Sequence, residues 1–175
     1  MIDVAEVEAF VRQDYTDKDI MHGLDHIRRV YRLARRLGEK HAHDGELLML
    51  GAYSHGVIYS READIRRFLE DHSLLPGVID RVVQIARESQ KESAPKTIEG
   101  VLLHDVHLIE GGKTFIITKS LVTGAARGQT LEDIIRFIEE RILGKYACSL
   151  PEAQRLYEEK EEFARQFIED LKANL

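Results

Sequence analysis

Apolar residues recur at helical spacing almost everywhere in this chain, and that pattern restricts the fold more than any other feature. In residues 22 to 37, Ile27, Val30, Tyr31, Ala34 and Leu37 form one stripe, and Gly38 reads as the stop beyond it. Residues 44 to 55 read as a short, strongly apolar helix containing Leu47, Leu48, Leu50, Ala52 and Tyr53. A charged helix follows at about 61 to 71, and Pro76 suits the first turn of the next, ahead of Ile79, Val82, Val83 and Ala86. Another apolar segment runs from Ile98 to Ile109. The run KTFIITKSLVTG, 113 to 124, is rich in β-formers but lacks clean alternation and a partner strand, so a buried helix is expected there.

Thr130 with Asp133 forms a capping-box pattern for a helix to about Leu143, and Ser149 with Glu152 does the same for the last helix. The stripe of that last helix includes Leu156, Tyr157, Phe163, Ala164, Phe167, Ile168 and Leu171. There are no internal repeats, low-complexity tracts or long linkers. Residues 1 to 175 are therefore expected to form one all-α domain of about seven to nine helices.

Composition excludes several classes of function. With 43% hydrophobic and 32% charged residues, the chain has the balance of a globular protein. No apolar run approaches the roughly 20 residues of a membrane span, and no secretory leader is evident, so a cytoplasmic protein without a membrane partner is expected. The single cysteine, Cys148, excludes an internal disulfide framework. A net charge of −6 argues against nucleic acid as the main partner. Arg28, Arg29, Arg32, Arg35 and Arg36 on one helix, and Arg66 and Arg67 on another, read as solvated faces.

The histidines carry the chemical interest. His22 and His26 lie four residues apart and share a helix face that continues into Val30 and Leu33, so His26 points inward. His55 closes the apolar helix in AYSHGVIYS, and Asp105 lies within an apolar run, VLLHDVHLIE. A buried carboxylate is costly unless paired or metal-bound. Imidazoles with a carboxylate suit divalent ions such as Zn, Mn, Fe or Mg.

The order HxxxHIRRVYRLA, then an apolar helix ending at His55, then APKTIEGVLLHDVHLIE resembles the HD-domain superfamily of metal-dependent phosphohydrolases. The likeness extends into SLPEAQRLYEEKEEFARQFIEDL and spans most of the chain from about residue 20. It implies His26, His55 and Asp105 as metal ligands. It further implies His22 as a group near the substrate and Arg61 as a cation meeting a phosphate. The activity implied is metal-assisted hydrolysis of a phosphate ester or nucleotide, with one divalent ion as cofactor and a small phosphorylated or nucleotide substrate as partner.

Departures from that pattern are equally specific. Gly56 stands where the resembled family keeps the aspartate of its His-Asp dyad, and Gly23 replaces another aspartate. Where relatives read Asp-Ala-Asp-x-Leu-Asp, this chain has Asp105-Val106-His107-Leu108-Ile109-Glu110. A weakened single-metal site is therefore expected. The alternative is an inactive protein of the same fold that binds a nucleotide or a partner protein. Of two further His-Asp pairs, His43-Asp44 reads as a helix cap and His104 as a structural hydrogen-bonder; His107 is the better candidate for a compensating ligand.

Overall fold

A computed structural model describes residues 2 to 175, and among them all the regular structure is helical. The order is α1 (Val4–Val11), a short 3-10 helix (Arg12–Tyr15), α2 (Leu24–Gly38), α3 (Gly45–Ser54) and α4 (Ile58–Asp71). There follow α5 (Pro76–Glu88), α6 (Ile98–Ile109), α7 (Phe115–Ala126), α8 (Leu131–Arg141) and α9 (Pro151–Ala173). None of these helices is long and apolar enough to cross a membrane.

The centre of the fold is α3. Its residues Leu47 to Ser54 are all buried, as expected of a helix apolar on every side. It packs against α1, α2, α5 and α6. Gly51 lets α3 lie close against α5, because a Cβ there would lie 2.4 Å from a methyl carbon of Ile85. The main core joins these helices through residues such as Ile27, Val30, Leu48, Ile85, Leu102 and Val106. A second apolar cluster lies between α7, α8 and the end of α9, around Ile117, Ile134, Ile138, Ala164 and Ile168. Leu108, Ile109, Ala153 and Tyr157 join α6 to α9.

Local signals in the sequence account for most helix ends. Asp44 accepts from the N–H groups of Glu46 and Leu47, so its role is the helix cap expected of it. Thr130 and Asp133 form their capping box. Pro76 occupies the first turn of α5, and the 113-to-124 run is helical, although only its inner face is buried. An additional capping box, Asp3 with Glu6, opens α1.

Three ends differ from expectation. Gly38 belongs to α2 instead of following it, and the His43 ring packs where its Cβ would stand. The charged helix starts at Ile58, with a break from helical geometry at Arg61 (φ −133°, ψ 26°). No Ser149–Glu152 box forms. Glu152 accepts a hydrogen bond from His41, and the N–H groups of Ser149 and Leu150 donate to Asp105.

Candidate metal centre

His26 projects from the first turn of α2, His55 caps the end of α3, and His107 lies in the last turn of α6. One ring nitrogen from each lies within 4.8 Å of the other two, a grouping suited to a metal ion. His26 and His55 are buried, each about 6% exposed.

The remaining ring nitrogens define the tautomers. His55 Nδ1 donates to the carbonyl of Ala52, and His107 Nδ1 to that of Leu103 at 2.8 Å. His26 Nδ1 donates to Glu110 Oε1 at 3.0 Å. Carbonyl oxygens can only accept, so His55 and His107 each carry a proton on Nδ1 and a lone pair on Nε2, while His26 presents its Nδ1–H to the carboxylate. His55 Nε2 and His107 Nε2 then face one another at 3.0 Å with no proton between them. Lone pairs that close repel unless a cation stands beside them. The separation is a few tenths of an ångström below the roughly 3.3 Å of two imidazoles on one tetrahedral zinc.

Burial, with the neighbouring imidazoles adding to it, pushes His107 well below the ordinary histidine range. Burial likewise holds His55 at about 3, and the charge of His26 adds to the effect. Both rings are therefore neutral at physiological pH, as metal binding requires. The donor set fits a single borderline ion such as zinc, cobalt or nickel, and suits magnesium poorly because it has no oxygen atom.

Glu110 anchors this arrangement. Its Oε1 also accepts from Arg29 Nε at 2.9 Å. Its Oε2 lies 2.9 Å from His26 Nδ1 without a hydrogen bond of its own. Burial by itself would raise this carboxyl, but the His26 hydrogen bond, the charges of His26 and Lys119 and the Arg29 hydrogen bond hold it at about 2.

Asp105 is not part of the histidine group, which corrects the ligand assignment made from the sequence. It is fully buried, and its oxygens accept from Ser149 N at 2.9 Å, Leu150 N at 2.7 Å and His104 Nδ1 at 3.0 Å. It fastens the start of α9 to α6. His107 takes its place at the site, because residues two apart on a helix point about 200° apart. His104 is the structural hydrogen-bonder expected.

Arg61 is also placed differently. Its guanidinium pairs with Asp14 and Asp64 and lies 4.8 Å over the Phe10 ring, and it does not line the cavity beside the histidines. His22 does line that cavity, with Nδ1 2.9 Å from Asp19 Oδ1. Burial, and then the Lys119 charge, lower His22 from its ordinary value.

The cavity, about 990 Å³, runs from His22 and His107 outward between α6, α7, α8 and α9. Lys91, Lys119, Lys160, Arg127, Arg141 and Lys145 line it, against the carboxylates of Glu92 and Glu140. Burial lowers Lys91, and it brings Lys119 to about 8 and Lys160 to about 7, where the Lys91 charge adds to the effect. Lys160 donates to the carbonyls of Leu108 and Glu110, both at 2.7 Å. Nothing in the sequence singled out these lysines, which come from separate segments and meet only in the fold. Arg32, Arg35 and Arg36 border a separate groove that Glu110 also lines, and they are exposed, in keeping with a solvated face.

Beside the site, the residue after His55 is Gly56. A Cβ there would lie 2.2 Å from the hydroxyl of Tyr15. That hydroxyl is buried without a hydrogen-bond partner, a situation that costs about 1–3 kcal/mol.

No protein-family model matches the sequence, and no curated protein matches it. Solved structures do match. YpgQ of Bacillus subtilis, crystallised in complex with ADP, aligns at 21% identity and TM-score 0.78 over 99% of this chain and 98% of its own. A Lactobacillus plantarum protein aligns at 19% identity and TM-score 0.82 over 99% and 98%. An HD-superfamily hydrolase of Bacillus thuringiensis aligns at 19% identity and TM-score 0.72 over 98% and 93%.

Proposed function

We propose, for a chain that has the fold of HD-superfamily hydrolases, a single-metal phosphohydrolase acting on a small phosphorylated substrate or nucleotide. His26, His55 and His107 hold the ion. The observation that carries this reading is the pair of Nε2 lone pairs facing each other at 3.0 Å, with every Nδ1 in the group committed to an acceptor. Metal-ligating histidines nearly always show such a partner on the second nitrogen.

A bound divalent ion supplies Lewis acidity toward a phosphoryl oxygen and acidifies water. The chain supplies the rest. Lys91, Lys119 and Arg127 line the adjoining cavity and meet the phosphate oxygens. An anion there also adds to the counter-charge that Glu92 and Glu110 give the crowded lysines. His22, oriented by Asp19 and neutral, takes up a proton on Nε2. The structural neighbour bound to ADP supports a nucleotide as substrate. The alternative is a protein that holds the metal and binds a nucleotide without turnover, and the absence of any carboxylate from the histidine group favours it.

The test is elemental analysis of the purified protein, with a screen of phosphate esters and nucleotides in the presence of zinc, cobalt, nickel, manganese or magnesium. One ion per chain is expected, retained with zinc, cobalt or nickel in preference to magnesium and lost in His107→Ala. Hydrolysis that follows metal occupancy supports the enzyme; nucleotide binding without hydrolysis under every ion supports the alternative. A wild-type protein that takes up no metal overturns both.

A further inference from the structure

Four arginines of α2, Arg29, Arg32, Arg35 and Arg36, line one groove of about 600 Å³. Arg32 and Arg36 have no ion pair or hydrogen bond among the described residues, and Arg35 meets only the Tyr31 ring, at 5.8 Å. Their neighbour Arg28, by contrast, is paired with Glu8 and Asp25. Arg29 engages Glu110 through Nε alone, so its two terminal nitrogens have no acceptor. Gly111 also lines the groove, and its N–H has no acceptor among the described residues. Two carboxylates, Glu39 and Glu110, stand against the four guanidiniums, which leaves two positive charges uncompensated. The position of Arg35 and Arg36 in the last turn of α2 suits the helix dipole, but that accounts for neither Arg32 nor the open fork of Arg29.

We propose that this groove is a second anion site, which takes a phosphoryl dianion and is coupled to the histidine centre through Arg29, Glu110 and His26. The dianion is inorganic phosphate or the terminal phosphate of a small molecule. Guanidinium forks match phosphate oxygens two at a time, and a phosphate monoester carries about −1.5 to −2 at pH 7, the charge that the groove leaves open.

The coupling rests on the metal reading above; the anion site does not. Arg29 Nε and His26 Nδ1 both donate to Glu110 Oε1, at 2.9 and 3.0 Å. An anion on Arg29 offsets its charge and leaves more of the carboxylate's charge to the imidazole, which becomes the better ligand. It also lessens the repulsion between Arg29 and an incoming metal ion. Anion and metal therefore tighten one another, each by the same factor.

Calorimetric titration of the full-length protein with inorganic phosphate, and separately with AMP, tests the site. Arg32 and Arg36 are exposed and unpartnered, so Arg32→Gln combined with Arg36→Gln should fold as the wild type does. That double variant is expected to lose one binding event by roughly tenfold or more, whereas Lys119→Gln in the neighbouring cavity should retain it. Equal affinity of that event for both probes identifies free phosphate as its ligand, and tighter AMP identifies a phosphorylated small molecule; either supports the site. Wild-type protein that binds neither probe, or a groove variant that binds both unchanged, overturns it. For the coupling, cobalt affinity is measured by competition with a chromophoric chelator, in phosphate and in chloride at equal ionic strength. Phosphate is expected to tighten cobalt about fivefold or more in the wild type and not in the groove variant. Phosphate held in the groove without that difference overturns the coupling, and wild-type protein that takes up no metal overturns the metal reading while the phosphate titration still decides the anion site.

Discussion

Glu110 orients His26: its carboxylate accepts the imidazole N–H at 3.0 Å from a position 84 residues along the chain. Arg29 holds the same oxygen from one turn further along α2, so the carboxylate is fixed on two sides. Glu110→Gln preserves the shape, removes the charge and presents an amide that can turn its N–H₂ toward the ring. Metal affinity is expected to fall about 10–100-fold, as for other partners of metal-ligating histidines. Competition with a chromophoric chelator measures it, and unchanged affinity would show that Glu110 does not support the site.

Asp105 is expected to matter for stability and not for metal stoichiometry. Asp105→Asn replaces one of two accepting oxygens with an amide N–H₂ that opposes the N–H of Ser149 or Leu150. The loss is about 2–4 kcal/mol, within the range for breaking a buried charge-assisted network. Denaturant unfolding reads this loss, and metal analysis of the folded fraction should still give the wild-type stoichiometry. A stable variant that has lost its metal would restore Asp105 as a ligand.

Arg61 is expected to act on the packing of the amino-terminal segment. Arg61→Met removes the ion pairs to Asp14 and Asp64 and the stacking on Phe10. Stability should fall by about 1–2 kcal/mol. KM for any phosphorylated substrate should stay within about twofold, a change of roughly 0.4 kcal/mol. A large rise in KM without destabilisation would show that Arg61 meets the substrate.

Lys160 gives the fold a dependence on pH whose sign follows from burial. Its ammonium is held at about 7 in the fold, against an ordinary 10.5 in the unfolded chain. Between these values the unfolded chain binds the extra proton, so this contribution to stability rises with pH. Below about 7 the cost of the buried charge is fully present; above about 10.5 it is gone. Wild type minus Lys160→Met, from denaturant unfolding at several pH values, should therefore increase across that window. A flat difference curve would mean that the lysine keeps an ordinary value in the fold.

Much of the architecture was legible in the sequence because helices are local objects. The stripe of Ile27, Val30 and Ala34, the cap at Asp44 and the box of Thr130 with Asp133 depend on residues three or four apart. The same is true of the KTFIITKSLVTG segment, where missing alternation outweighed β-rich composition. His26 and His55 were found because each sits on an apolar face or end that must turn inward.

The rest depended on which helix faces which. Spacing shows that Asp105 and His107 point to opposite sides of α6, but not which side meets α2 and α3 and which meets α9. Only the packed structure turns His107 toward His26 and His55 and gives Asp105 to Ser149 and Leu150. Tyr15 against Gly56 and Glu110 against His26 are likewise meetings between distant segments. The sequence by itself determined the helices and the histidines that turn inward. Tertiary structure decided the third histidine of the group, the lysine-lined cavity and the oxygen beside Gly56, because each is a convergence in space of groups with no relation along the chain.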